Sequence, residues 1–165
     1  PLALKGLFDV MRRSRRASQF ALAFAVHRMD AHTPVIHQAA LLHDMAEMLL
    51  WVHAPSLALQ IHAAQEADPE LRSAEIQRDV LNIELSDLQQ ALMKTWRLPE
   101  LLTRVSDDRH TDHPSVRTVL LAVRVARHSA VSWNNPALPD DIEDLCNLLQ
   151  LSSAAISALL HDIDD

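Results

Sequence analysis

Thr33-Pro34-Val35-Ile36-His37-Gln38-Ala39-Ala40-Leu41-Leu42-His43-Asp44-Met45-Ala46-Glu47-Met48-Leu49-Leu50-Trp51-Val52 is the stretch on which the fold turns. A hydroxyl followed by proline marks a helix start. The side chain caps, and the proline takes the first helical position, where its missing N–H has no partner anyway. Val35, Ala39, Leu42, Ala46 and Leu49 then recur at spacings of four and three. Leu41, Met45 and Met48 make much of the opposite side apolar too. A helix apolar nearly all round belongs inside a fold, not on its surface. The pattern predicts one buried helix over residues 34–52 as the core.

Helical spacing continues on both sides, and no segment alternates apolar and polar residues as a strand does. The first helix is expected over Leu4 to Met29, with Phe20, Ala21, Phe24 and Ala25 inward and a length that leaves room for a break near Ser14. Pro55-Ser56 opens a helix that fades near Asp68-Pro69, and Glu70 to Leu81 reads as a polar helix ended by Asn82. Ser86 or Asp87 caps the next, with Leu88, Ala91, Leu92 and Trp96 inward. Leu98-Pro99 restarts the chain with Leu101, Leu102 and Val105, and residues 107–114 form a polar loop ending in proline. A helix over Ser115 to Ser132 turns Val116, Val119, Leu120, Val123 and Ala126 to one side. Asn134 to Asp140 is a proline-punctuated turn, and two short helices follow, the last capped by Ser152. The fold class is all-α, with eight to nine helices in a single domain over residues 1–165.

Composition narrows the function. Of the 165 residues, 48% are hydrophobic and 22% charged, which is globular usage and excludes disorder for most of the length. A net charge of -7 argues against nucleic acid as the main partner, because phosphate binding calls for a basic surface. Arg12, Arg13, Arg15 and Arg16 form the one basic cluster, read as a solvated helix face. Cys146 alone cannot form an internal disulfide and fits a reducing, cytoplasmic compartment. No apolar run approaches the ~20 residues of a membrane span. The start at Pro1, without a secretory pattern, reads as a piece of something longer. Gly6 is the only glycine, which rules out a phosphate-cradling loop or a dinucleotide fingerprint.

Ten histidines call for a metal test. The candidate is the adjacent pair His43-Asp44, since imidazole and carboxylate together suit a divalent ion that activates water. A pair alone is short of the three or more protein ligands a catalytic metal needs, so a core histidine held by hydrogen bonds is the plain alternative. Weaker combinations are His37 with Asp44, Arg117 with Arg124 at the same spacing of seven, His110 with His113 in the polar loop, and His27 with His32 at a helix junction. Cys146 lies on an apolar-periodic helix and reads as a core residue.

Four segments together resemble the HDOD family, relatives of the HD metal-dependent phosphohydrolases found in bacterial signal transduction. Met11 to Ala17 looks like the family's tryptophan-x-histidine-serine stretch. Ala39 to Glu47 resembles its glycine-leucine-leucine-histidine-aspartate-isoleucine-glycine signature. Leu92-Met93-Lys94-Thr95-Trp96-Arg97-Leu98-Pro99 is similar to its leucine-leucine-x-x-tryptophan-x-leucine-proline run, and Val119 to Ala130 to its late helix. The resemblance covers about Leu7 to Leu160 and only the later half of a full HDOD domain. It implies an HD-like multi-helix bundle with a central buried helix.

The departures carry the functional expectation. The resemblance places Arg13 at the first histidine position and Arg127 at the final aspartate. Leu85 stands for the histidine ahead of the tryptophan helix, and Arg109-His110 for a histidine pair; the glycines of the signature become Ala40 and Ala46. Arginine stays protonated and donates without accepting, so it cannot ligate a metal. His43 and Asp44 remain as a vestigial pair, with an arginine expected to pair with Asp44. The expectation is a non-catalytic regulatory module with no metal and no cofactor. It would act on signalling partners or attached domains, with no nucleic acid and no membrane. The alternatives are a metal-dependent phosphohydrolase acting on a nucleotide or cyclic dinucleotide, and nucleic-acid binding through Arg12 to Arg16.

Overall fold

The structure, a computed structural model, describes residues 2–68 and 72–164. Among the described residues the chain forms ten helices and no strand. They fall into two compact units, one of residues 1–12 and 44–98, the other of residues 13–43 and 99–165. The helix α1, Leu2–His27, contributes to both and runs without a break at Ser14.

The segment 34–52 is not one helix. It is α2, Thr33–Leu42, and α3, Met45–His53, interrupted at the His43-Asp44 pair. The His43 N–H reaches back only three residues, to Ala40 O at 3.5 Å, and Asp44 takes φ -99 and ψ 23, off the helical region. The ladder resumes with Met48 N–H donating to Asp44 O at 3.0 Å. Asp44 is thus the N-cap residue of α3, a place aspartate favours, although its side chain makes no capping bond. The buried face of α2 is Ile36, Ala39 and Ala40, while Val35 and Leu42 are half-buried. Nor does Thr33 cap α2. Its hydroxyl donates to Asp30 O at 2.7 Å, and His32 holds the cap position.

In the first unit, α3 packs on α4, Pro55–Ala67, and on α6, Leu85–Thr95, and α4 packs on α5, Ser73–Leu81. Val10, Trp51 and Ala58 are buried together, with Leu7, Met48 and Leu59 against them. Gly6 lies under the Trp51 ring, so close that a Cβ built there would meet it at 2.5 Å. Asn82 ends α5 in the left-handed conformation, φ 58, as expected, and the expected start at Glu70 lies outside the described residues. The inward face of α6 is rotated from the expected one. Gln89, Gln90 and Met93 are buried, whereas Ala91 is exposed and Trp96 is 50% exposed. Gln89 belongs inside because its Oε1 accepts the Ala46 N–H at 2.8 Å, one of the first-turn donors α3 leaves unpaired. Glu84 sits at the cap position of α6, so neither Ser86 nor Asp87 caps it.

In the second unit the most deeply buried helix is α8, Pro114–His128. It packs on α2, on α7, Glu100–Val105, and on α9, Leu138–Leu149, which packs in turn on α10, Ser153–Asp164. Val116, Val119, Val123 and Ala126 are buried as the spacing indicates, and Leu121, Ala122 and Val125 as well, whereas Leu120 is only half-buried and the helix stops at His128, short of the expected Ser132. Phe20 and Phe24 of α1 stack at 6.3 Å and are fully buried. The Ser152 hydroxyl caps α10 by accepting the Ala155 N–H at 3.2 Å, as expected. Cys146 is half-buried between Leu145 and Leu149, not a full core residue. No described helix is long and apolar enough to cross a membrane.

Candidate functional site

The turn that breaks the signature helix frees the His43 side chain from a helical row. Its Nε2 lies 2.8 Å from Asp108 Oδ2, with the imidazole largely shielded from solvent. Asp108 comes from the polar loop between α7 and α8, and no spacing or motif singles it out. Its neighbour Asp107 shapes that loop by accepting from Arg109 through the backbone N–H at 3.2 Å, Nε at 2.8 Å and Nη2 at 2.9 Å. The Arg109 bonds hold the Asp107 carboxyl below its ordinary range against the opposing effect of burial, with charge from Arg109 and His110 adding to them. Of two adjacent carboxylates, one folds the loop and the other meets the histidine. Asp108 Oδ1, the second oxygen, is buried without a hydrogen bond among the described residues.

Asp44 belongs to the other unit and is buried. The interruption after Leu42 removes the single helical face that the His37–Asp44 spacing implied. Arg13 is half-buried and Arg127 exposed, and both engage neighbours. Among the described residues no three His, Cys, Asp or Glu side chains gather in a way that could hold a metal ion.

Several of the remaining sequence candidates make structural contacts. Arg117 and Arg124 do share a face, and both reach Asp144, at 3.8 and 2.9 Å. Arg124 also approaches the fully buried Asp141, whose other oxygen lies 2.5 Å from His128 Nδ1. Asp141 Oδ1 is 2.6 Å from Arg124 Nη2 but badly aligned, so that contact is an ion pair without a hydrogen bond. His27 Nε2 meets Leu149 O at 3.2 Å. In the basic cluster Arg12 is solvated, as expected, but Arg16 is not: it binds Asp164, Ala126 O and Ser129 Oγ.

A family model for the HDOD domain matches residues 3–111. The chain belongs to the HDOD family. The match takes in the His43-Asp44 signature, the Trp96 segment and the Asp107-Asp108 loop, and ends before α8, so the likeness read at Val119 to Ala130 lies outside it. Among solved structures this HDOD chain is similar to a candidate phosphohydrolase from Shewanella amazonensis SB2B, with a TM-score of 0.68 at 14% identity. The likeness covers 95% of this chain and 60% of that one, and at such identity it speaks to the fold alone. No curated protein matches the sequence.

Proposed function

We propose that this HDOD chain is a regulatory module that works through protein–protein contact on an HD scaffold without metal chemistry. The observation that carries the reading is the bond between His43 and Asp108. The signature imidazole is engaged by a carboxylate of its own unit at 2.8 Å, as a histidine with a structural role is. That pair offers two donors where a catalytic metal takes three or more protein ligands. The resemblance puts Arg13 and Arg127 where two further ligands would stand, and a guanidinium brings positive charge toward a cation instead of a lone pair. The donor set therefore does not fit a catalytic metal.

One observation favours a second reading, a metal-dependent phosphohydrolase. Asp108 Oδ1 is a buried carboxylate oxygen without a hydrogen bond beside the signature histidine, and such an atom is what a cation would take. The two readings separate in one experiment. The purified protein is analysed for bound metal, then incubated with manganese and a panel of cyclic dinucleotides, nucleotides and phosphomonoesters. The regulatory reading expects no metal-dependent phosphate release. Release that disappears in His43→Ala and Asp108→Asn establishes the phosphohydrolase instead.

A further inference from the structure

A cavity of about 260 Å³ opens in the second unit between α7, the loop ahead of α8 and the first turn of α8, with His32 at its border. Neither His43 nor Asp108 lines it, so it is separate from the site described above. Leu101, Val105 and Val116 give it an apolar floor. Arg104 supplies a cation in a setting unlike that of most arginines here. Arg16, Arg28, Arg109 and Arg124 each close on a carboxylate of the chain. Among the described residues the Arg104 guanidinium has no ion pair and no hydrogen bond. His113 lines the cavity too, held in place by its Nδ1, which accepts the Ser115 N–H at 3.3 Å.

We propose that this cavity binds a small carboxylic acid with an apolar body. The volume lies just below the ~300–1,000 Å³ of clefts that take drug-sized ligands, which suits a compact metabolite. The apolar floor receives the body, and the planar fork of Arg104 matches a carboxylate through two parallel hydrogen bonds. Asp112 also lines the cavity and sets the charge. Arg104 and Asp112 give the lining one formal cation and one formal anion, so each further negative charge on a ligand adds repulsion from Asp112 that the single guanidinium does not cancel. A monoanionic carboxylate is therefore preferred over a dianionic phosphate. His32 and His113 are the N-cap residues of α2 and α8, so the positive ends of both helices add to the preference for an anion. Such a site gives the domain an input of its own, and it stands whether or not the regulatory reading holds.

Calorimetric titration with phenylacetate, 4-methylpentanoate, phenyl phosphate and 2-phenylethanol tests the proposal. Both carboxylates should saturate at millimolar concentration or below, and should bind more tightly than the phosphate and the alcohol. Arg104→Gln should weaken carboxylate binding about tenfold, the loss of roughly one charge-assisted hydrogen bond. Arg104 is exposed, so the variant keeps its fold, checked by circular dichroism. Carboxylates that fail to saturate, bind no better than phenyl phosphate, or bind Arg104→Gln equally well overturn it.

Discussion

The Arg16 guanidinium closes on both carboxylate oxygens of Asp164, at 2.7 and 2.8 Å, across 148 residues of sequence. The same group donates to Ala126 O at 3.0 Å and Ser129 Oγ at 2.8 Å, and lies over the Phe20 and Trp133 rings. One side chain thus ties α1, the end of α8 and the last turn of α10 into one network. Arg16→Met keeps the aliphatic stem and removes the donors. It should cost about 1.5–3 kcal/mol, the range for hydrogen bonds to charged groups, because Arg16 and Asp164 are both mostly shielded. Urea melts measure the loss, and amide exchange in α10 should quicken. A loss under ~0.5 kcal/mol would reduce the network to an ordinary surface pair.

Gly6→Ala should destabilise the first unit although alanine is the better helix former. The gain in helix propensity is at most about 1 kcal/mol. Against it stands a Cβ placed 2.5 Å from the buried Trp51 ring, and overpacking of that kind costs about 1–3 kcal/mol. Melts of Gly6→Ala and of Gly6→Ala with Trp51→Leu check the cause, since the smaller side chain should make the alanine tolerable.

Asp30 should make the fold acid-sensitive. Burial, the largest influence, pushes its carboxyl up, but the His32 N–H, the Ser115 hydroxyl and the charges of Arg28 and His32 together hold it below its ordinary value. A carboxylate whose folded pKa is depressed binds fewer protons folded than unfolded. Its contribution is therefore present in full above the unfolded value, ~3.9, and is lost as pH falls through the lower folded one. Stability followed from about pH 6 to pH 2 should drop less steeply in Asp30→Asn than in the parent. Equal slopes would show that the folded carboxyl is not depressed.

Leu121→Ala should cost about 2–5 kcal/mol, as fully buried leucines do, and Leu42→Ala clearly less, because Leu42 is only half-buried. Denaturant midpoints of the two variants rank the helices directly. An equal loss would return the central role to the segment over residues 34–52.

The amino-acid sequence carries the helical class, the family signature and most helix starts. Those depend on neighbours within four residues: Pro55, Pro114 and Ser152 act through their own first turns, and Asn82 through its tolerance of the left-handed region. It also fixed the buried row of α8, where apolar residues recur without interruption. The rest depends on contacts between helices. The break at His43-Asp44 is invisible to periodicity because the apolar spacing runs straight through it. What permits it is partners distant in sequence, Asp108 for the His43 ring and Gln89 for the Ala46 N–H. The inward face of α6 was misjudged for the same reason: a buried glutamine is stable only where a backbone donor meets it, and that donor lies 43 residues away. Arg16 looked like one more solvated cation until α10 brought Asp164 to it. Local propensity is a property of a few adjacent residues, whereas the pairing of a buried polar group is settled only when separate helices meet.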